Sequence, residues 1–280
     1  MAAKRSRKLL VWVLFLHSSL VFSQTTFQKT FGGSGNEAAN WVTEALDGYV
    51  IAGNVTNSTG NQDALLVRLD GSGNIIWQKR FGAGQSDAFH CVVNTSDGGY
   101  LAVGETRSFG SGNVDIFLVK VNGAGAIVWC KTVGEADRND VALGIIPVSA
   151  GGYIVSGYST SSANSSNNSI FLRLDQNGST VWSRTYSTNS SNLLLSNYID
   201  GNVIYASGKA DGGAAFVRLE LSSGNILSTK AYSGSGMEAL YYQQPTADGN
   251  LLLADHISSN SMSSDAKVWI QKVIHQIMIP

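Results

Sequence analysis

The chain has 280 residues, 19 of them basic and 20 acidic, for a net charge of −1 at pH 7. Setting aside residues 1–23 removes four cations and no acid, so 15 basic residues face 20 acidic ones and a nucleic-acid binder is excluded by charge. Three prolines, 31 glycines and 14% charged residues suit short strands joined by many turns, and the length holds one large β domain or two small ones.

The first 23 residues place Lys4, Arg5, Arg7 and Lys8 before an apolar run from Leu9 to Phe22 and a small Ser23, the pattern of a signal peptide. His17, Ser18 and Ser19 interrupt the run, which is short for a membrane span. The expectation is export: residues 24–280 form a single domain in the medium, at the cell surface or in the periplasm, with no span after cleavage.

Next comes a lone strand, Thr26 to Phe31, inside a phrase that recurs along the chain. FQKTFGGSGNEA begins at Phe27, WQKRFGAGQSDA at Trp77, WCKTVGEADRNDVA at Trp129, WSRTYS at Trp182 and LSTKAYSGSGMEA at Leu227. The intervals are 50, 52, 53 and 45 residues. A second phrase follows each copy: DGYVIAGNVT from Asp47, DGGYLAVGET from Asp97, AGGYIVSGYS from Ala150, DGNVIYASGK from Asp200 and DGNLLLADHI from Asp248. A third completes the unit, as DALLVRLDGSGNIIW from Asp63, DIFLVKVNGAGAIVW from Asp115, SIFLRLDQNGSTVW from Ser169 and AAFVRLELSSGNIL from Ala214, with a weaker DAKVWIQKV from Asp265.

Apolar residues in these phrases alternate or run in groups of four to seven, with Gly, Asn and Asp between them, which is strand patterning. The second unit resolves into strands A (Ala88 to Asn94), B (Tyr100 to Glu105), C (Asp115 to Val121) and D (Ile127 to Val133). Tight turns join A to B and C to D. Repeated four-stranded antiparallel units of this length predict an all-β fold, a β-propeller of five blades. The lone strand Thr26 to Phe31 is D-type and the final strand, Lys267 to Val273, is C-type, so the first is expected to complete the fifth blade and close the ring. The tail Ile274 to Pro280 matches no part of the repeat, which leaves a piece of a larger ring as the alternative.

The combination W-x-K-T-F-G, D-G-G-Y-x-x-x-G and D-x-F-L-V-K-x-D/N-x-x-G-x-x-x-W resembles bacterial secreted β-propeller repeat proteins, over essentially all of residues 24 to 273. The resemblance implies the fold and an extracellular setting, and little about activity. The G-x-x-x-W hairpin is also similar to repeats of quinoprotein dehydrogenases, but their cofactor and metal constellation has no copy here, and no cofactor is expected.

Acids recur near the start of strand A at Glu37, Asp87, Asp140 and Glu238. Around the mouth of a central channel they could hold a cation or a polyhydroxy ligand. The competing reading gives them a structural role, accepting hydrogen bonds from loop amides. Trp77, Trp129 and Trp182 share one D-strand position and read as packing between blades, whereas Trp41 on the first A strand is a freer ligand contact. The longer B-C loops (Asn57 to Gln62, Arg107 to Val114, Ser159 to Asn168, Ser258 to Ser264) lie on one face with the D-A loops, the expected surface for a glycan or protein partner of a monomer. Cys91 and Cys130 fall on the first and last strands of one blade, so two separate, mostly buried thiols are expected.

Only His90, His256 and His275 follow the leader, without HExxH, G-x-S-x-G or Cys-x-x-Cys spacing. The expectation is a non-enzymatic binding or scaffold propeller. The enzyme alternative is a glycoside hydrolase using carboxylates at the channel mouth.

Overall fold

The computed structural model describes residues 26–33, 35–161, 166–187, 192–210, 213–232, 240, 242–257 and 267–273. It is all-β, and no helix occurs among the described residues. The first sheet contains β1 (Glu37–Ala45), β2 (Gly48–Thr56), β3 (Gln62–Asp70) and β4 (Ile75–Phe81). The second contains β5 (Asp87–Asn94), β6 (Tyr100–Thr106), β7 (Asp115–Val121) and β8 (Ile127–Val133). In the third are β9 (Arg138–Pro147), β10 (Tyr153–Ser161), β11 (Asn167–Leu174) and β12 (Thr180–Tyr186). The fourth comprises β13 (Leu193–Asp200), β14 (Val203–Ala210), β15 (Gly213–Glu220) and β16 (Ile226–Tyr232), and the fifth β17 (Tyr242–Pro245), β18 (Leu251–Ile257) and β19 (Lys267–Val273). Each sheet is an antiparallel meander in chain order, the blade of a β-propeller.

Strand alternation explains how these blades share their interiors. In β7, Phe117, Val119 and Val121 join a core with Val50, Ala52 and Leu66 of the first sheet. The intervening Ile116 and Leu118 join Tyr153, Val155 and Leu172 of the third. Successive side chains thus serve opposite neighbours. Further clusters join the third sheet to the fourth through Phe171 and Ile204, and the fourth to the fifth through Phe216 and Leu253. The middle strands are therefore buried on both faces, which is why they read as unbroken apolar runs.

In each of the first four units the B strand carries a glycine for a specific reason. Gly53, Gly104, Gly157 and Gly208 each sit opposite a β-bulge in the adjoining A strand. At each of the four a Cβ would stand 1.9 Å from a carbonyl oxygen, that of Ala38, Ala88, Val141 and Leu193 respectively. No side chain fits that approach. The bulged residue is Asn40 in β1 and His90 in β5, and the Asn40 side chain donates to the Phe89 carbonyl at 2.8 Å, linking first and second blades.

C-D turns close around an Asx residue. The carboxylate of Asp70, the amide oxygen of Asn122 and the carboxylate of Asp175 each accept main-chain N-H groups two and four residues on. Gly73, Gly125 and Gly178 in these turns have φ of +77°, +77° and +72°.

Two expectations change. Residues 26–33 form no ladder, and the fifth sheet has three strands among the described residues. The segment lies instead over the first blade, where the Phe27 ring meets Tyr49 at a centroid distance of 5.8 Å and Lys29 donates to Asn74 at 3.2 Å. Cys130 is exposed rather than buried, because its outer strand β8 faces solvent, while Cys91 is buried and both thiols are free. The tail from Ile274 and the loop Ser258 to Ser264 lie outside the described residues.

Candidate functional site

The recurrent A-strand acids sit where each D-A loop turns inward. Glu37 accepts the Gly33 amide at 2.9 Å, Asp87 the Ala83 amide at 3.4 Å and Asp140 the Glu135 amide at 3.0 Å. Each carboxylate thus closes a short loop onto the first turn of its own strand. Glu37 is exposed, whereas Asp87 and Asp140 are buried. Asp87 also accepts the Ser108 hydroxyl at 2.6 Å and the Thr106 hydroxyl, so one carboxylate fixes a D-A loop and a B-C loop together. Glu238 lies outside the described residues.

Glu37, Asp87 and Asp140 belong to three different blades and have separate partners. No cluster of three or more His, Cys, Asp or Glu side chains placed to hold a metal occurs among the described residues. What the fold brings together is pairs. Asp63 at the head of β3 and Asp87 both face Gly82, and Asp115 at the head of β7 and Asp140 both face Gly134. The partner acid was visible in the sequence as the Asp that opens the third phrase, DALLV and DIFLV, once that phrase is set beside the next D-A loop.

These two junctions differ in electrostatics. Asp63 accepts the Asn57 amide at 3.1 Å, and Asp87 has its two hydroxyls. Asp115 Oδ2 accepts the Gly112 amide at 2.9 Å, but its buried Oδ1 has no donor. Burial pushes the Asp140 carboxyl above the usual carboxylate range, with the Glu135 and Asp115 charges adding to the effect.

Trp41 is 46% exposed on β1 and lines an apolar hollow of about 1190 Å³ with Val42, Ile51, Leu65, Val67 and Phe27. The hollow is the face of the first sheet turned away from the second. His90, at the β5 bulge, has Nε2 3.9 Å from Glu105 Oε2, and the contact holds the Glu105 carboxyl below its ordinary range. On the long-loop face, Phe109 is 42% exposed and its ring lies 5.7 Å from that of Phe117.

The D-strand tryptophans pack between blades. Trp77, Trp129 and Trp182 lie against Gly125, Gly178 and Gly224 in the C-D turns of the following blades. Phe27 lies in the same way against Gly73.

No family model matches the sequence, and no curated protein does. Among solved structures the chain is similar to a quinohemoprotein alcohol dehydrogenase of Pseudomonas putida, with 12% identity and a TM-score of 0.45 over 75% of this chain and 42% of that one. It is similar to an acylaminoacyl peptidase of Pyrococcus horikoshii, with 11% identity and a TM-score of 0.49 over 84% of this chain and 38% of that one. A neuraminidase-like protein of A/little yellow-shouldered bat/Guatemala gives 11% identity and a TM-score of 0.49 over 85% of this chain and 83% of that one. The chain thus spans less than half the length of the first two.

Proposed function

We propose that this chain is an exported, non-enzymatic propeller that binds a glycan or protein partner through the face carrying its B-C and D-A loops. The observation that supports this reading most is the use made of the recurrent acids. Asp87 and Asp140 are buried, and each accepts a loop amide, Asp87 a loop hydroxyl as well, so they hold the loops in place. A preorganised loop face loses little entropy on binding, which suits a recognition surface. A glycosidase needs two carboxyls facing an open cleft about 5 to 9.5 Å apart. Phe109 offers that face an exposed aromatic ring on which a sugar ring or an apolar side chain can stack.

In the same reading the fifth sheet is the last of five blades. Phe27, seated on Gly73 as Trp77 is seated on Gly125, fills on the first blade the place that the preceding blade's tryptophan fills elsewhere.

The test is a glycan array and a panel of extracellular-matrix proteins, followed by thermal shift with each hit, because a ligand specific for the native state raises its unfolding temperature. A hit weakened at least ten-fold by Phe109→Ser carries the reading. Turnover of a polysaccharide that is lost on changing Glu37 to Gln would replace it with the hydrolase.

A further inference from the structure

The junction between the second and third blades buries two carboxylates side by side. Asp115 is 1% exposed and Asp140 2% exposed. Both carboxylates face Gly134, where a Cβ would stand 1.9 Å from Asp115 Oδ1 and 3.1 Å from Asp140 Oδ2. From the other side come two main-chain carbonyls. A Cβ on Gly112 would stand 2.9 Å from the oxygens of both Glu135 and Arg138, and 3.4 Å from Asp115 Oδ1. Asp115 Oδ1 thus shares the space beside Gly112 and Gly134 with other oxygens, and no described donor reaches it.

A buried carboxylate oxygen without a donor is costly, and a second carboxylate beside it raises the cost. The nearby guanidinium does not relieve it, since Arg138 Nε donates to Glu135 at 2.8 Å on the surface. The other junctions of the same fold show how the problem is met elsewhere. At the first, Asn57, Thr106 and Ser108 supply donors to Asp63 and Asp87. At the third, Ser169 stands in the position of Asp115, and its hydroxyl accepts the Leu194 amide at 3.0 Å. Among the described residues, the junction of Asp115 with Asp140, where Ser159 bonds Asp140 but nothing bonds Asp115 Oδ1, alone combines two acids with an orphaned oxygen.

Two carboxylates with loop carbonyls are the ligands of a hard divalent cation, and calcium in particular accepts six to eight oxygens in adaptable geometry. We propose that a calcium ion binds between the second and third blades, held by Asp115, Asp140 and main-chain oxygens of the loop 134–138. The ion would neutralise the pair and tie a D-A loop to the B-C loop that carries Gly112. The proposal is independent of what the long-loop face recognises.

Isothermal titration of the purified, chelator-treated chain with calcium chloride tests it directly. The expected result is one site with a Kd of roughly 10⁻⁴ to 10⁻³ M, the range of extracellular calcium modules, and an unfolding temperature that rises with calcium. Asp115→Asn should weaken binding at least ten-fold, whereas Asp63→Asn, at the equivalent position of the first blade, should leave it unchanged. Asp140→Asn serves as the second variant if the first does not fold. No calcium heat from the unaltered chain overturns the proposal and leaves the pair sharing a proton. Equal calcium affinity in folded Asp115→Asn or Asp140→Asn also overturns it, placing the ion elsewhere.

Discussion

The indole of Trp77, on the outer strand of the first blade, lies against Gly125 in a turn of the second, and its Nε1 donates to the Gly123 carbonyl at 3.0 Å. Gly125 has φ of +77°, and a Cβ there would stand 2.9 Å from the ring. Two substitutions should therefore damage one contact from opposite sides. Trp77→Ala is expected to cost about 1 to 3 kcal/mol by removing the ring that packs on Gly125 and Tyr100. Gly125→Ala should cost about 1 to 3 kcal/mol through left-handed backbone strain and crowding. Because they act at the same place, the double variant should lose less than the two single losses combined, as read by urea denaturation.

Gly104 makes a sharper case, since its conformation is ordinary and only space forbids a side chain. A Cβ would lie 1.9 Å from the Ala88 oxygen, so Gly104→Ala must push β6 away from the bulge at His90. A loss of about 3 kcal/mol or more is expected. The same exchange at Gly84, in an open loop with nothing within 4 Å, should be nearly neutral. Comparing the two midpoints in urea separates backbone crowding from a generic effect of alanine.

Acid stability should depend on the turn acid Asp97. Hydrogen bonds from Lys120, at 2.6 Å, and from Thr95 hold its carboxyl down to about 2. An unfolded Asp titrates near pH 3.9 (about), so the stabilisation is present above that value and is lost as pH falls through about 2. Lys120→Met should flatten the fall in unfolding temperature across this window and leave its slope above about pH 5 unchanged.

The two thiols should react very differently. Burial pushes the Cys91 thiol up to about 11, and the side chain is 2% exposed, so thiolate and access are both lacking. Cys130 is exposed on β8. Iodoacetamide at pH 8 should label Cys130 and spare Cys91 until the chain is unfolded, as read by peptide mass spectrometry.

Much of the architecture was legible because the repeat restates it. The boundaries Asp115–Val121 and Ile127–Val133 read from the second unit are those of β7 and β8, since apolar runs ending at NGAG leave no freedom of register. The lone strand at Thr26 was not legible. Its side chains match a D strand, and Phe27 does take the position of the tryptophans, but side-chain pattern says nothing about whether a backbone partner is within reach. The candidate site was half legible. Asp87 and Asp140 stood out by recurrence, whereas Asp63 and Asp115 are 24 and 25 residues away in sequence and meet them only across a blade junction. That Asp115 Oδ1 lacks a donor depends on the path of the 107–114 loop, which composition does not specify.

Every core cluster described above straddles two sheets, so no repeat possesses an interior of its own. A single unit, cut out, would expose both faces of its middle strands and have nothing to fold around. Yet an extra copy inserted between two others would bring one new interface and disturb only its neighbours. A change in the size of such a molecule would therefore come in whole units, each of 45 to 53 residues.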